Sequence, residues 1–203
     1  MALSAQAWEQ MWAPYDEPTY TAVLDAIRPD DVVLDIGAGD LRLTRRLAQR
    51  ARRVYALEMN AALLPPAMTL PPNLHAICAD AHFYPFPTDV TLAVLLMRHC
   101  QHVAVYAEKL RAVGCRYLIT NARWGFDVEC IDLLAARRPF TAVPIGWYAC
   151  SCGATGFVPG PPEKLTLSVE TAVYEVTGCP HCDRQAVNCK SGMVQYCQNT
   201  LYK

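Results

Sequence analysis

The hydrophobic and polar positions of this chain follow two alternating periods. Short apolar runs, typical of strands buried on both faces, are separated by segments in which apolar side chains recur every three or four positions. The apolar runs lie at residues 32–36, 54–57, 75–78, 89–97 and 117–121. Strands that alternate with helices in this way predict an α/β fold. We expect a Rossmann-like, doubly wound and mostly parallel sheet of about seven strands.

The segment 31–60 has the pattern of one strand–helix–strand unit. Its first strand ends in a turn with two glycines, Gly37 and Gly39. A basic helix follows, for which Asp40 is the predicted cap, and the second strand ends on Glu58. Glycines let a ligand lie against backbone N–H groups, and an acid at the end of the second strand can accept hydrogen bonds from both hydroxyls of a ribose. The pattern therefore predicts a nucleoside-binding site.

The sequence Leu-Asp-Ile-Gly-Ala-Gly at residues 34–39, followed by Glu58, resembles the first two motifs of class I S-adenosylmethionine-dependent methyltransferases. Residues 43–60 are further similar to the opening of the ribosomal RNA adenine dimethyltransferases. Leu41 stands where the family usually has a third glycine, which implies a slightly altered turn or a shifted cofactor. The Asn-X-Pro-Tyr type motif that adenine dimethyltransferases have after the fourth strand is missing. The resemblance implies S-adenosylmethionine as cofactor, bound by Asp35, Gly37, Gly39, Glu58, Met59, Asp80, Ala81 and Met97.

Candidate residues for the acceptor side follow the later strands. In this class of enzymes an acid just past the third strand holds the adenine amine, and Asp80 fits that position, although it can also simply cap the next turn. His99 and His102 follow the predicted fourth strand, and Arg123 and Trp124 follow the fifth. Ligands of open parallel sheets bind beyond the carboxyl ends of strands, so these four are the candidate catalytic residues. Alternatively, the histidines cap or pack, and Trp124 closes the edge of the core.

Two helical segments flank this region. Residues 4–13 predict an amphipathic helix that carries Trp12, and Tyr15 follows it. By the resemblance, Trp12 or Tyr15 closes over the cofactor or the acceptor; the alternative is packing on the core. The apolar spacing within residues 127–138 predicts a further helix.

The last third of the chain has a different character, with close-spaced cysteine pairs after predicted strands at 141–150 and 165–176. The pairs are about twenty-five residues apart and resemble a zinc ribbon, although the first pair is Cys-X-Cys. The predicted ligands of a closed, structural zinc site are Cys150, Cys152, Cys179 and Cys182. His181, Cys189 or Cys197 can replace one of them, and Cys-Pro-His-Cys is also a redox dithiol pattern.

Composition limits the classes of function. With 203 residues, 53% hydrophobic and 18% charged, the chain can form one α/β core with a small appendage. We expect the cofactor-binding core at residues 1–140, and the last strands of its sheet together with the zinc-ribbon-like module at residues 141–203. A net charge of −1 gives no global attraction to nucleic acid or acidic membranes. No apolar run is long enough to cross a bilayer, and residues 1–12 do not have the pattern of a signal peptide. The ten cysteines are therefore expected to be reduced thiols or metal ligands in the cytoplasm.

These observations predict methyl transfer from S-adenosylmethionine. RNA is the favoured acceptor because of the resemblance, the zinc-ribbon pattern and six clustered arginines, although those arginines can also form a solvated helix face. The cluster consists of Arg42, Arg45, Arg46, Arg50, Arg52 and Arg53. The near-neutral charge and the missing adenine-methylation motif speak against RNA, and a small molecule or a protein remains open. The alternative function is an inert cofactor-binding module whose zinc ribbon is an interaction surface.

Overall fold

The computed structural model describes residues 15–98, 100–123 and 125–182. The chain divides into two compact units, Met1–Ala135 and Ala136–Lys203. Each unit has its own sheet.

A six-stranded sheet is the centre of the first unit, with the strand order β3-β2-β1-β4-β5-β6. The strands are β1 (Val32–Ile36), β2 (Arg53–Glu58), β3 (Leu74–Cys78), β4 (Leu92–Leu95), β5 (Tyr117–Thr120) and β6 (Glu129–Asp132). β1 to β5 are parallel and β6 is antiparallel to β5. The mostly parallel α/β fold is confirmed, but the expected seven strands are wrong. The strands predicted last form a separate sheet in the second unit instead.

Helices cover both faces of this sheet. They are α1 (Glu17–Asp25), α2 (Arg42–Ala48) and α3 (Val103–Ala112), with short 3₁₀ turns at Ala61–Leu63 and Ala67–Thr69. Every residue of β1 is buried. Leu34 packs with Leu110 of α3, whereas Val33 packs with Leu47 of α2, because successive side chains of a strand point to opposite faces. None of the helices in the described part of the chain is long and apolar enough to cross a membrane.

The helix predicted at residues 127–138 is wrong. The segment forms β6, which is followed by a turn, and Leu118 of β5 pairs with Ile131. Ile131 is buried whereas its neighbour Cys130 is exposed, which is the period of a strand. The edge of β5 supplies backbone hydrogen bonds to this segment, and the apolar spacing alone does not reveal that partner.

The second unit contains a four-stranded sheet with the order β7-β10-β8-β9. Its elements are β7 (Arg138–Pro139), β8 (Gly146–Cys150), β9 (Thr155–Val158), α4 (Leu167–Thr171) and β10 (Val173–Thr177), with 3₁₀ turns at Phe140–Ala142 and Pro162–Lys164. β8 and β9 form an antiparallel hairpin, and β10 runs parallel to β8 and β7. The single strand predicted at 165–176 is therefore wrong, because its first half is the helix α4.

Candidate functional site

The five parallel strands of the first unit end at one edge of the sheet, and the strand order reverses between β1 and β4. Ligands of open α/β sheets bind outside the carboxyl ends of strands at such a reversal. The loop after β1 carries the glycine turn, and the loop after β4 carries Met97. Most of the other predicted cofactor and acceptor residues in the described part of the chain lie at or just after the ends of β2, β3 and β5. The two exceptions are Asp35, which lies within β1, and His102, which directly precedes α3. The structure thus brings residues from five separate sequence segments to the same edge.

The glycine turn is fixed against the end of β2. The N–H groups of Gly37 and Ala38 both donate to the carbonyl of Leu57 at 2.9 Å. Gly37 and Gly39 have φ angles of +74° and +57°, which glycine adopts without steric cost. A Cβ atom on Gly37 would lie 2.7 Å from Cε of Met97. The positive φ is therefore what favours glycine at this position, because the atom nearest to an added Cβ is only the flexible end of the Met97 side chain.

Glu58 lies at the end of β2 with its carboxylate directed toward the glycine turn. Its Oε2 accepts a hydrogen bond from the N–H of Gly39 (2.9 Å), and its Oε1 accepts one from the N–H of Asn60 (2.7 Å). The residue is only 7% exposed. A carboxylate has about four acceptor positions, so each oxygen keeps capacity for one further donor. The two backbone bonds hold the carboxylate in one orientation beside the turn.

Leu41 has a backbone conformation that is rare for residues other than glycine. Its φ is 66° and its ψ is 15°, and it directly precedes α2 without a side-chain cap. Left-handed backbone explains why a glycine is favoured at this position. The leucine side chain is fully buried in the core cluster between the sheet and α2. Asp40, the predicted cap, accepts from the N–H of Arg42 and pairs with its guanidinium.

Asp35 lies within β1 and is buried. The hydroxyl of Thr44 in α2 donates to its Oδ2 at 2.5 Å. Burial raises the pKa of Asp35 to about 6; the bond from Thr44 opposes this shift and the nearby charge of Glu58 adds to it. In this structure Asp35 therefore connects the strand to the helix that follows the glycine turn.

The loop after β3 contains the predicted adenine-binding acid. Asp80 is exposed, and its Oδ1 accepts from the N–H of His82 at 2.8 Å, so it does hold the next turn. Ala81 is buried, and Met59 after β2 is exposed. An exposed carboxylate can bind a ligand with its remaining acceptor positions while it keeps this turn.

Lys109 of α3 holds the same loop from the other side. Its ammonium group donates to the carbonyls of Ala81 (2.5 Å), His82 (3.0 Å) and Tyr84 (2.7 Å). Lysine has three donors, so these bonds use its full capacity. The loop after β3 is thereby positioned by a helix that begins more than twenty residues later.

The loop after β4 contacts the start of the described chain. The hydroxyl of Tyr15 accepts from the N–H of Arg98 at 3.2 Å, and the Arg98 guanidinium lies over the Tyr15 ring. His102 begins α3 without making a side-chain cap, and its ring centroid is 5.0 Å from that of His82. His99, Trp124 and Trp12 lie outside the described residues.

After β5 the structure shows a buried ion pair that the sequence did not reveal. Nε and Nη2 of Arg123 donate to the two carboxylate oxygens of Glu129 at 2.5 Å each. The side chains are 6% and 19% exposed. The predicted acceptor residue Arg123 is thus oriented by β6, a segment whose apolar spacing predicts a helix instead. Asn121, also missed, is buried here with both side-chain polar atoms unpaired.

The arginine cluster lies on and around α2, and most of its members contact acidic residues. The pairs are Arg42–Asp40, Arg46–Glu17, Arg50–Asp25 and Arg53–Asp89. Surface ion pairs of this kind are typical of a solvated protein face. The structure therefore favours the alternative that these arginines are not a phosphate-binding patch.

The four predicted metal ligands come together in the second unit. The sulfur atoms of Cys150, Cys152, Cys179 and Cys182 all lie within 4.8 Å of one another. Individual Sγ–Sγ distances are 3.6 Å for Cys150–Cys182, 3.7 Å for Cys152–Cys179 and 3.9 Å for Cys179–Cys182. A tetrahedral zinc with Zn–S bonds of about 2.3 Å separates its sulfurs by about 3.8 Å. The donor set and its spacing therefore fit zinc.

The turns around these cysteines explain the arrangement. Gly153, with a φ of +90°, donates its N–H to the carbonyl of Cys150, and the N–H of Cys182 donates to the carbonyl of Cys179. Each pair thus lies on a tight turn. Nδ1 of His181 is 3.9 Å from Sγ of Cys152, and Cys189 and Cys197 lie outside the described residues.

A mostly parallel sheet with a glycine turn after its first strand and a buried acid at the end of its second is a Rossmann-like fold. Residues 16–109 match the family model described as ribosomal RNA adenine dimethylase. The resemblance to class I S-adenosylmethionine-dependent methyltransferases, with a first motif region similar to the adenine dimethyltransferases, is confirmed over this segment.

Related proteins match a similar part of the chain. The chain is 42% identical over 64 residues to the probable ribosomal RNA small subunit methyltransferase A of Methanosarcina mazei, which is 30% of this chain and 24% of that protein. It is also 39% identical over 71 residues to the probable ribosomal RNA small subunit methyltransferase A of Methanopyrus kandleri. That match covers 34% of this chain and 26% of the Methanopyrus protein. The chain thus spans about a quarter of the length of these relatives. Among solved structures, the 23S rRNA methyltransferase ErmE matches with a TM-score of 0.45 and 25% identity, over 54% of this chain and 47% of that one.

Proposed function

We propose that this protein transfers a methyl group from S-adenosylmethionine. The observation that carries the proposal is the Glu58 carboxylate, which two backbone N–H groups hold beside a glycine turn while acceptor capacity remains on both oxygens. This is the arrangement that a ribose diol needs. Gly37 has no side chain of its own, so a ligand can approach the backbone of the turn once it displaces the flexible end of Met97.

The proposed cofactor-binding residues have distinct tasks. Glu58 accepts from the ribose, and the exposed Asp80 accepts from the adenine amine while Ala81 and Met97 provide apolar surface. Met59 is exposed next to Glu58 and can cover the nucleoside. The remaining members of the proposed set, which build the turn itself, are Asp35, Gly37 and Gly39. S-adenosylmethionine supplies a methyl group already activated by its sulfonium, so the protein mainly needs to align the acceptor and exclude water.

RNA is the proposed acceptor. The descriptions of the matching family and of the archaeal relatives support it. The paired arginines around α2 do not add to this support, because carboxylates next to them neutralise most of their charge. We therefore place RNA binding at the carboxyl edge of the sheet rather than on α2. A small molecule or a protein as acceptor, and a module that binds the cofactor without catalysis, are outcomes that the experiments below distinguish.

On the acceptor side we propose His102 and Arg123, together with His99 and Trp124. His102 is exposed at the start of α3 and has no capping bond, so its imidazole can exchange protons with an acceptor. Arg123 is held by both oxygens of Glu129, which fixes its guanidinium. A fixed cation orients an acceptor but does not exchange protons near neutral pH.

Calorimetry with S-adenosylhomocysteine tests the cofactor site. We expect binding to wild type and at least about tenfold weaker binding to Glu58→Gln, since a lost charged hydrogen bond is worth about 1.5–3 kcal/mol. Glu163→Gln, at an exposed site in the second unit, is the matched control and should bind as wild type. Circular dichroism verifies that both variants are folded. Equal affinity of Glu58→Gln and wild type would discard the assignment.

Labelled methyl transfer tests the activity. We expect label from S-adenosylmethionine in unmodified ribosomal RNA transcripts and none in total protein. Label in protein or in a small-molecule fraction would show that the acceptor belongs to that class and is not RNA. Cofactor binding without labelling of any fraction would identify an inert module.

We also propose a structural zinc held by Cys150, Cys152, Cys179 and Cys182. Four thiolates close a tetrahedral site and leave no open position, so the ion stabilises the fold and does not take part in chemistry. None of the eight cysteines in the described part of the chain forms a disulfide, which agrees with a proposed location in the cytoplasm. The purified protein should contain one zinc per chain by elemental analysis. Cys182→Ser should lose it, whereas the exposed Cys130→Ser should retain it; a Cys179–Cys182 disulfide in its place would support the redox alternative.

A further inference from the structure

The side-chain amide of Asn121 is the least explained polar group of the first unit. Its Nδ2 and Oδ1 are both buried, and neither has a hydrogen-bond partner among the described residues. The residue is only 6% exposed. Burying an amide without partners costs free energy, so buried amides are nearly always paired in folded proteins. An amide that is buried and left unpaired on both sides indicates a partner that arrives from outside the chain.

The backbone around Asn121 is fixed on both sides. The hydroxyl of Thr120 donates to the carbonyl of Leu95 at 2.8 Å and accepts from the N–H of Ala122 at 3.0 Å. Two residues further on, Arg123 is held by Glu129. These bonds connect the ends of β4, β5 and β6, so the chain at residues 120–123 has little freedom to pair the amide elsewhere. Asn121 follows β5 and thus lies at the same edge of the sheet as the glycine turn and Met97, with its amide buried below the surface.

We propose that Asn121 recognises the methyl acceptor by pairing with the edge of an amino-bearing nucleobase, adenine or cytosine. A neutral carboxamide offers one acceptor and two donors in a plane. In these bases an exocyclic amine can donate to Oδ1 while the neighbouring ring nitrogen accepts from Nδ2, which is the pairing that asparagine makes with adenine. The inference rests on the proposed methyl transfer to RNA. It adds the residue that selects the base.

A structural role for Asn121 makes the opposite prediction. An asparagine that holds its own fold together has its partners in the chain. The half-buried Asn73 is an example, because its Nδ2 donates to the carbonyls of Ala48 (2.8 Å) and Ala51 (3.1 Å). Replacing Asn73 by leucine should therefore lower the unfolding temperature. Asn121→Leu removes an unpaired amide and keeps the volume, so the unfolding temperature should stay equal or rise while base recognition is lost.

The test measures the affinity of the full chain for fluorescent single-stranded oligonucleotides in the presence of saturating S-adenosylhomocysteine. The probes are oligo(A), oligo(C), oligo(U) and an abasic strand of the same length, for wild type, Asn121→Leu, Asn121→Ala and Asn73→Leu. The abasic strand reports binding to the backbone alone. We expect wild type to prefer oligo(A) or oligo(C) to the abasic strand, and both Asn121 variants to lose about fivefold or more of that preference. Asn73→Leu should keep the preference.

The outcomes separate this inference from the proposed function. If S-adenosylhomocysteine does not bind wild type, the proposed cofactor site fails. If it binds, and the Asn121 variants keep the wild-type preference for oligo(A) and oligo(C), the inference is overturned while the cofactor site stands. If the Asn121 variants lose as much affinity for oligo(U) as for oligo(A) and oligo(C), the assignment of an amino-bearing base is overturned. If Asn121→Leu lowers the unfolding temperature as Asn73→Leu does, Asn121 has a structural role instead.

Discussion

Leu41 combines two opposing contributions to stability at one position. Its left-handed backbone costs about 1–2 kcal/mol relative to a conformation that leucine prefers. Its fully buried side chain contributes more, because truncating a buried leucine to alanine costs about 2.7–5 kcal/mol. Packing therefore outweighs strain, which explains how a leucine persists where glycine is usual.

This balance predicts an unusual order of variants. Leu41→Gly and Leu41→Ala should both lower the free energy of unfolding by about 2–4 kcal/mol, with the glycine variant at least as stable as the alanine variant, because only glycine relieves the strain. Leu47 is the control, since it is fully buried in the same cluster but lies in helical backbone. There the alanine variant should be more stable than the glycine variant by about 1 kcal/mol. Urea unfolding of the four variants measures the order, and the same order at both positions would contradict the argument.

Asp35 predicts a pH dependence of stability. Its folded pKa is raised from 3.8 to about 6 by burial, so the folded state binds more protons than the unfolded state between these values. Stability is therefore lost as the pH rises through this range, and the ionised group costs about 2–3 kcal/mol above it. Asp35→Asn should therefore raise the free energy of unfolding only slightly at about pH 4, and by most of this amount at about pH 7. Unfolding free energies of variant and wild type at both pH values test this, and a gain that does not depend on pH would refute it.

At the scale of elements, the sequence predicts those features that depend on local pattern. The apolar runs gave β1 to β5, and the spacing of Gly37, Gly39 and Glu58 gave the turn and the acid beside it. The local pattern did not predict β6 or α4, because this edge strand and this short helix depend on contacts with residues far along the chain. Glu129, Lys109 and Asn121 were missed for the same reason, because their roles arise only when distant segments meet.

The ion pair between Glu129 of β6 and Arg123 of the loop after β5 predicts that substitutions of these two residues have strongly coupled effects on stability. Glu129→Gln should lower the free energy of unfolding by about 3–5 kcal/mol, because it removes the charged partner of a buried ion pair that is bonded through both carboxylate oxygens. Arg123→Met in the same background should recover part of this loss. Arg116, which directly precedes β5, and Asp132 at the end of β6 form a more exposed ion pair, which serves as the control and should contribute at most about 1 kcal/mol. Additive effects of the two buried substitutions in a double-mutant cycle would contradict the coupling.

At the scale of the whole molecule, each unit has its own source of stability. The first unit has two large apolar clusters, one on each face of its sheet. The described part of the second unit has one small cluster, in which Cys150 and Cys179 pack with Val143 and Val176. Two of the proposed zinc ligands therefore belong to that small core. Domains with so little apolar core usually need a metal or disulfides.

Removal of zinc should therefore affect the two units differently. After chelation, amide hydrogen exchange should become faster in β8, β9 and β10 and stay at its original rate in β1 to β5, since structural zinc contributes folding energy directly. Cys152→Ser should reproduce this pattern without chelator, and Cys78→Ser, at an exposed cysteine of the first unit, should not. Binding of S-adenosylhomocysteine should persist in the zinc-free protein, because all proposed contacts with it lie in the first unit. Unchanged exchange in β8 to β10 after complete loss of the metal would mean that the cysteines hold this fold together without zinc.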